Sequence, residues 1–135
     1  MPAPRSEQEL DDLLSAPRAA TTAALARIDG DIVVLGAGGK MGPTLARMAV
    51  RATADSATRR RIIAVSRFSS DTNERSLRDA GVETMRCDLL DRHAVARLPD
   101  APNVIYMAGQ KFGTRDAPSR TWMLNVVVPA ICADR

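Results

Sequence analysis

Residues 31–42 of this 135-residue chain read Asp-Ile-Val-Val-Leu-Gly-Ala-Gly-Gly-Lys-Met-Gly, and this stretch decides the fold. The apolar run from Ile32 to Leu35 is too short for a helix and rich in β-branched residues, which predicts a fully buried parallel strand. The glycines that follow permit a sharp turn and a close approach of a ligand to the backbone, because a Cβ would block both. From Met41 onward, apolar residues recur at helical spacing, so a helix is predicted directly after the turn.

This strand–turn–helix unit predicts a site for the phosphates of a dinucleotide. The first turn of a helix carries unpaired N–H groups and the positive end of the helix dipole, and both favour an anion. The pattern Gly36-x-x-Gly39-x-x-Gly42 stands in the context that such a site requires, although a tight turn without a ligand is the alternative. We predict that the whole loop contacts the cofactor: Gly36, Ala37, Gly38, Gly39, Lys40, Met41 and Gly42.

The composition is that of an ordinary globular domain, with 45% hydrophobic residues, 26% charged residues and a net charge of +3. The one basic cluster, Arg59-Arg60-Arg61, has no interleaved aromatic residues, so we expect no nucleic-acid partner. The two cysteines form no CxxC pattern, and we expect neither a disulfide framework nor a metal site. This cysteine usage makes a reduced, cytoplasmic protein the default expectation, and we find neither a transmembrane stretch nor a secretory signal.

The rest of the chain alternates predicted strands with predicted helices. After the first strand, apolar runs at 62–65, 82–87 and 103–109 predict three more strands, with a helical pattern after each. Right-handed crossovers then predict an α/β fold of the Rossmann type, a doubly wound parallel sheet with strand order 3-2-1-4. We assign residues 31–135 to this dinucleotide-binding domain, with the binding crevice at the carboxyl ends of the first and fourth strands.

A short helical N-terminal extension is predicted over residues 1–30. Ser6 and Glu9 form a capping box that begins a helix with leucines on one face, and a second helix is predicted over about 18–28. We expect the extension to pack against the sheet edge or a partner subunit. Later in the chain, Asp71 and Asp91 are predicted to cap helices.

The end of the second strand bears on the choice of cofactor. An NAD-specific site usually places a carboxylate there for the ribose hydroxyls, but this chain has Ser66-Arg67. A guanidinium suits the 2′-phosphate of NADP, and Lys40 could assist from the glycine loop. We therefore favour NADP over NAD. The alternative is that Arg67 and Lys40 are ordinary surface cations.

Positions after the third strand are predicted to hold the adenine. Asp88 can accept a hydrogen bond from the adenine amino group, and Leu89 can lie against the ring. Asp88 could instead cap the following helix, but Asp91 suits that role better.

The end of the fourth strand and the last helix complete the predicted site. Met107, Ala108 and Gly109 have small or flexible side chains that let the cofactor ribose pass close to the backbone. Asn125 lies in mid-helix, where Asn is unfavourable, so we consider it an accessory residue that faces the active site. A simple surface position is the alternative.

These motifs resemble the extended short-chain dehydrogenase/reductases, the NAD-dependent epimerase/dehydratase family. The resemblance covers about residues 31–135 and implies a Rossmann domain that binds NAD(P). It implies that the glycines bind the pyrophosphate, that Asp88 contacts adenine and that Met107 to Gly109 line the ribose. Arg67 replaces the usual acidic residue of the family. The motifs that carry the resemblance are Gly36-x-x-Gly39-x-x-Gly42, Cys87-Asp88-Leu89, Val104-Ile105-Tyr106-Met107-Ala108-Gly109 and Leu124-Asn125-Val126.

One family motif is missing from the sequence. Members carry a later Tyr-x-x-x-Lys, whose tyrosine is the general acid/base, but the only tyrosine here is Tyr106, in a predicted strand, and residue 110 is Gln. We therefore interpret residues 31–135 as the cofactor-binding part of a longer enzyme, truncated before this motif and the substrate lobe and inactive alone.

The resemblance implies an oxidoreductase, epimerase or dehydratase that transfers a hydride to or from a nucleotide sugar or a related carbonyl compound. Two alternatives stay open. One is a non-catalytic module that binds NADP and senses it. The other is a different reductase family, because residues 36–42 also resemble the glycine loops of dihydrodipicolinate reductase and of prephenate dehydrogenase. The oligomeric state is open as well, with a homodimer as the candidate assembly.

Overall fold

The four predicted strands pair into one parallel sheet in the computed structural model, which describes residues 3–54, 60–110 and 115–134. The order of the strands is β3-β2-β1-β4, and helices flank the sheet, so the predicted α/β fold is confirmed. The strands in chain order are β1 (Ile32–Leu35), β2 (Ile62–Ser66), β3 (Glu83–Arg86) and β4 (Asn103–Tyr106).

Two helices precede the sheet, and the others follow strands. The final helical region is interrupted by a π-helical turn, Met123–Val127, which the sequence pattern did not predict. The helices in chain order are α1 (Glu7–Leu14), α2 (Ala19–Leu25), α3 (Gly42–Thr53), α4 (Asp71–Asp79), α5 (Arg92–Val95), α6 (Pro118–Trp122) and α7 (Val128–Ala133).

Strand β1 is the centre of the fold because it is buried on both faces. Ile32 and Val34 pack into one hydrophobic cluster, and Val33 and Leu35 pack into a second cluster. Strand side chains alternate between the faces of a sheet, so two clusters require helices on both faces. β1 pairs with β2 on one side and with β4 on the other. The order of connection therefore reverses at β1, and ligands bind at such switch points.

Two predicted helix caps have different outcomes. Asp91 caps α5, and its side chain accepts a hydrogen bond from the His93 N–H at 2.9 Å, as predicted. The prediction for Asp71 was wrong, because Ser70 is the cap and Asp71 is the first helical residue. Ser70 has the extended backbone that a cap needs, and its hydroxyl faces the Asn73 N–H at 3.4 Å.

Helix α1 of the N-terminal extension begins as predicted, with Ser6 accepting a hydrogen bond from the Glu9 N–H. The reciprocal half of the capping box differs, because the Glu9 carboxylate accepts from the Arg5 N–H instead of from the N–H of the cap. The second helix is shorter than the predicted 18–28 and spans Ala19–Leu25.

Helix α1 meets α3 through polar contacts. Arg47 of α3 donates to the Asp11 carboxylate at 2.7 Å, and Arg51 donates to the Ser15 hydroxyl at 2.9 Å. The leucines of α1 are about half-exposed within the described chain: Leu10 at 43%, Leu13 at 40% and Leu14 at 53%.

Some predicted connections fall partly outside the described residues. The polar link predicted over 52–58 includes 55–58, and the loop predicted over 110–119 includes 111–114. In the parts of the chain that are described, no helix has both the length and the apolar character needed to cross a bilayer.

A buried carboxylate ties α4 to β3. Glu74 is 4% exposed, and its Oε2 accepts a hydrogen bond from Arg86 Nε at 2.8 Å. Its Oε1 accepts from the Thr84 hydroxyl at 3.2 Å and from Arg78. The hydrogen bond from Arg86 is the main cause that lowers the pKa of Glu74 below its ordinary 4.5. These contacts favour the ionised form and so link stability to pH.

The direction of that linkage follows from the lowered pKa. The stabilisation is present above the ordinary pKa of Glu74 and is lost as pH falls through the lower pKa of the folded state. We expect Glu74→Gln to lower the urea midpoint at neutral pH and to flatten its fall between about pH 5 and pH 3. Urea denaturation across this pH range, followed by circular dichroism, measures both effects. Glu83→Gln is the matched control, because Glu83 is half-exposed and lies 3.7 Å from its nearest cation. An unchanged pH slope in Glu74→Gln would contradict the assignment.

Candidate functional site

A cleft of about 520 Å³ lies at the carboxyl ends of the four strands. The loop after β1, the residues after β2, β3 and β4, and one face of α6 and the π-helical turn form its walls. Ten of the fourteen predicted cofactor-binding residues line it: Gly36, Gly38, Gly39, Ser66, Arg67, Asp88, Leu89, Met107, Ala108 and Gly109.

Gly36 makes the turn out of β1. Its φ of +85° is the left-handed conformation that favours glycine. A Cβ built on Gly36 would lie 2.4 Å from the backbone nitrogen of Ala108 and 2.6 Å from its Cα. The absence of a side chain therefore lets the ends of β1 and β4 come together beneath the cleft.

The amide groups of the glycine loop divide into two sets. The Gly36 and Ala37 N–H groups donate to the Val65 carbonyl at 2.8 and 3.1 Å, and the Gly39 N–H donates to the Gly36 carbonyl at 3.2 Å. Other amides have no protein acceptor within the described residues, namely those of Gly38, Lys40, Met41 and Gly42. The loop thus carries unpaired donors where α3 begins, which is the property an anion site requires.

Four predicted loop residues do not line the cleft. Ala37 is fully buried, whereas Lys40 and Met41 are exposed. Gly42 is buried at the start of α3, where a Cβ would lie 2.3 Å from the Ala37 carbonyl oxygen. Gly42 therefore lets α3 pack closely on the loop.

The end of β2 forms one wall of the cleft. Ser66 and Arg67 line it as predicted, and Arg67 is exposed. Phe68 and Ser69 also line the cleft and were not predicted. Phe68 is 4% exposed and has a φ of +46°, which is uncommon for a residue other than glycine. This turn buries the ring and leaves the Arg67 side chain at the surface of the cleft.

The end of β3 contributes a carboxylate and an apolar surface. Asp88 Oδ1 accepts a hydrogen bond from the Leu90 N–H at 3.0 Å, and its Oδ2 makes no hydrogen bond within the described residues. Leu89 is buried, and Leu90 lines the cleft without having been predicted. One carboxylate oxygen is therefore held in a local turn, and the other is available beside an apolar floor.

Cys87 also lines the cleft, although it was not among the predicted cofactor-binding residues. Burial is the main cause that raises the pKa of its thiol above the ordinary value. The thiolate is the nucleophilic form of cysteine, so a raised pKa argues against a nucleophilic role.

The end of β4 is joined to the following helix by a side-chain clamp. Asn125 Oδ1 accepts a hydrogen bond from the Gln110 N–H at 3.0 Å, and Asn125 Nδ2 donates to the Gln110 carbonyl at 3.2 Å. Asn125 is exposed and does not line the cleft. The structure therefore places it beside the predicted site, where it holds the backbone that follows Gly109.

Tyr106 anchors the π-helical turn to the sheet. Its hydroxyl donates a hydrogen bond to the Leu124 carbonyl at 2.7 Å, and burial raises its pKa to about 12. A hydroxyl that is engaged in this way and stays protonated at neutral pH does not suit general acid/base catalysis. Tyr106 therefore has a structural role here.

Arg120 and Leu124 are two further cleft residues that sequence reasoning missed. They lie on α6 and the π-helical turn, and no short motif marks either residue. The one available signal was their spacing of four residues, which places them on one face of a helix.

A family model described as "NAD dependent epimerase/dehydratase family" matches residues 32–131. This range includes all four strands and every residue that lines the cleft, and it begins after α1 and α2. Neither the curated proteins nor the solved structures gave a match to this chain.

Proposed function

We propose that this chain, which belongs to the NAD dependent epimerase/dehydratase family, binds its nicotinamide dinucleotide in the cleft described above and prefers NADP to NAD. The family supports the class of cofactor. The choice of cleft and the preference between the two dinucleotides are argued from the residues of the chain.

The observation that carries the proposal is the set of unpaired amides at the start of α3. Within the described residues, Gly38 and the three residues that follow Gly39 have N–H groups without a protein acceptor. Their position at a helix start beside an open cleft suits a diphosphate, which is anionic and needs several donors. Gly36 and Gly38 keep the loop close to the sheet, since a Cβ on either would overlap its neighbours.

The other walls suit the remaining parts of a dinucleotide. Asp88 has one free carboxylate oxygen that can accept from the adenine amino group, and buried Leu89 offers an apolar contact for the ring. Met107 to Gly109 would lie beside the nicotinamide ribose. When bound, the cofactor would supply hydride-transfer chemistry, and the residues of this chain would bind and orient it.

Arg67 is the residue that we assign to the 2′-phosphate of NADP. It follows β2, where a carboxylate would favour the ribose hydroxyls of NAD. A guanidinium can bind a phosphate through two parallel charge-assisted hydrogen bonds, and it cannot accept from a hydroxyl. Asp88 is the only carboxylate among the described residues that line the cleft.

We expect the chain to bind NADPH about 10- to 100-fold more tightly than NADH, because charge-assisted phosphate contacts are worth about 1.5–3 kcal/mol. Arg67→Ala should remove this preference by weakening NADPH binding alone. Isothermal titration calorimetry with the two cofactors measures the ratio. Arg75→Ala is the matched control, since Arg75 is exposed on neighbouring α4 and does not line the cleft. A preference for NADH that Arg67→Ala leaves unchanged would refute the assignment.

For the whole protein we propose hydride transfer to or from a nucleotide sugar or a related carbonyl compound. Membership of the family supports this reaction class and favours it over the dihydrodipicolinate-reductase alternative. The acid/base group is not Tyr106, because its hydroxyl is bound to Leu124.

A non-catalytic role as an NADP-sensing module is the second candidate. It is favoured by the chemistry of the described cleft residues, where Cys87 has a raised pKa and Asp88 is held by Leu90. The sequence of the full-length protein distinguishes the two. A Tyr-x-x-x-Lys motif after this domain supports the enzyme, and its absence supports the sensor.

A further inference from the structure

Arg120 places a second cation on the wall of the cleft that lies on the β4 side. It belongs to the first turn of α6, one helical turn before Leu124, and both residues line the cleft. Residues four apart share a face of a helix, so the face of α6 and the π-helical turn that carries Arg120 is the face turned to the cleft.

The wall that carries Arg120 is fixed to the sheet. The Tyr106 hydroxyl donates to the Leu124 carbonyl at 2.7 Å, one turn beyond Arg120. The Asn125 carboxamide bonds both backbone groups of Gln110 at 3.0 and 3.2 Å. These contacts hold the helical wall against the end of β4, so the backbone of Arg120 has a defined position at the cleft.

Positive side chains outnumber negative ones among the described residues that line the cleft, and this excess favours an anionic ligand. Arg67 and Arg120 are both exposed to the cleft, and neither forms an ion pair within the described residues. The single lining carboxylate, Asp88, already accepts a hydrogen bond through one of its oxygens. Two guanidinium groups against one carboxylate favour a ligand with more than one anionic group.

The strand order separates the two cations. Arg67 follows β2 and Arg120 lies on the β4 side, with β1 between these strands. Neighbouring strands lie about 4.8 Å apart, so β2 and β4 are about 10 Å apart. The glycine loop follows β1 and therefore lies between them.

We propose that Arg120 binds the diphosphate of the dinucleotide from the β4 side, while the amides of the glycine loop bind it from the β1 side. This inference rests on the proposed function and adds a second phosphate-binding element to it. Arg67 then selects between the two cofactors, whereas Arg120 contributes equally to the binding of both. A guanidinium can contact two phosphate oxygens at once, so lysine would replace it only in part.

The test is calorimetric titration of the whole chain with NADPH, NADH and ADP at low ionic strength, where surface charges are least screened. ADP carries the diphosphate without the nicotinamide or the 2′-phosphate. We expect Arg120→Ala to weaken all three by a similar factor of about ten, and Arg120→Lys to weaken them less. Arg115→Ala is the matched control, because Arg115 is an exposed cation that does not line the cleft.

The outcomes separate this inference from the function on which it rests. If the unaltered chain binds none of the three nucleotides, the proposed function fails. If it binds them and Arg120→Ala behaves like Arg115→Ala, only the inference is overturned. If Arg120→Ala weakens the binding of NADPH alone, Arg120 lies at the 2′-phosphate. If it weakens the binding of NADPH and NADH but not of ADP, Arg120 lies at the nicotinamide half. Either result overturns the assignment to the diphosphate.

Discussion

Replacing Gly36 with alanine is expected to lower the free energy of unfolding by about 3 kcal/mol or more. A loss of this size would be a large part of the 5–15 kcal/mol that stabilises a typical domain. We therefore expect the variant to unfold at much lower urea concentration than the parent chain and to bind no dinucleotide.

Two effects add at this position. The left-handed backbone of Gly36, with φ of +85°, costs a residue with a Cβ about 1–2 kcal/mol. In addition, the new Cβ would lie 2.4 Å from the nitrogen of Ala108 and 2.6 Å from its Cα. These are backbone atoms next to β4, so relief requires β1 and β4 to separate where they pair.

Urea denaturation followed by circular dichroism measures the expected loss, with Gly39→Ala as the matched control. A Cβ on Gly39 would have only the Gly36 carbonyl oxygen near it, at 3.4 Å, and this glycine has no left-handed φ. Its replacement should change the free energy of unfolding by less than about 1 kcal/mol. Equal urea midpoints for Gly36→Ala and Gly39→Ala would contradict this prediction, because they would show that a side chain at residue 36 is tolerated between β1 and β4.

The parts of the fold that could be predicted are those in which local pattern and long-range packing agree. The run Ile32 to Leu35 is apolar at every position, and the structure buries all four residues. A strand buried on both faces has to be central, and the alternation of strands and helices then leaves few topologies. The strand order 3-2-1-4 is one of them, and the glycine motif after the first strand favoured it.

Local signals were less decisive where neighbouring residues could serve the same role. Ser70 and Asp71 are adjacent, and both residue types cap helices, so the pattern alone could not decide between them. Helix α1 shows a different limit. The described contacts of α1 with α3 are polar, and they include the ion pair between Arg47 and Asp11. The spacing of its leucines indicates an apolar face but does not identify the surface that this face would contact.

The cleft residues that belong to sequence motifs could be predicted. Those that reach the cleft only through tertiary packing could not. The glycines and the strand ends were identified because each follows an apolar run. Arg120 and Leu124 face the cleft through the packing of their helical region, which the Tyr106 hydroxyl and the Asn125 side chain hold at the end of β4. Phe68 enters the cleft wall through a left-handed backbone conformation that its residue type does not signal.

Replacing Gly38 with alanine is expected to weaken dinucleotide binding by about 100-fold while most of the fold is retained. A Cβ on Gly38 would lie 2.4 Å from Ser66 Oγ and 3.1 Å from Ser66 Cβ, between the glycine loop and the end of β2. The hydroxyl is a side-chain end that can rotate, so the cost to stability should be smaller than for Gly36→Ala. The loop would still move away from β2, and its free amides would lose their alignment with the diphosphate.

A double-mutant cycle with Ser66→Ala tests this explanation, because the second change removes the atom that the new Cβ would overlap. Calorimetry with NADPH on Gly38→Ala, Ser66→Ala and the double variant gives the coupling between the two positions. We expect Ser66→Ala alone to cost about threefold or less, and the double variant to bind closer to Ser66→Ala than to Gly38→Ala. If the losses at the two positions simply add, the overlap with Ser66 is not what displaces the loop. A contact between the Gly38 backbone and the cofactor would then be the better account of this glycine.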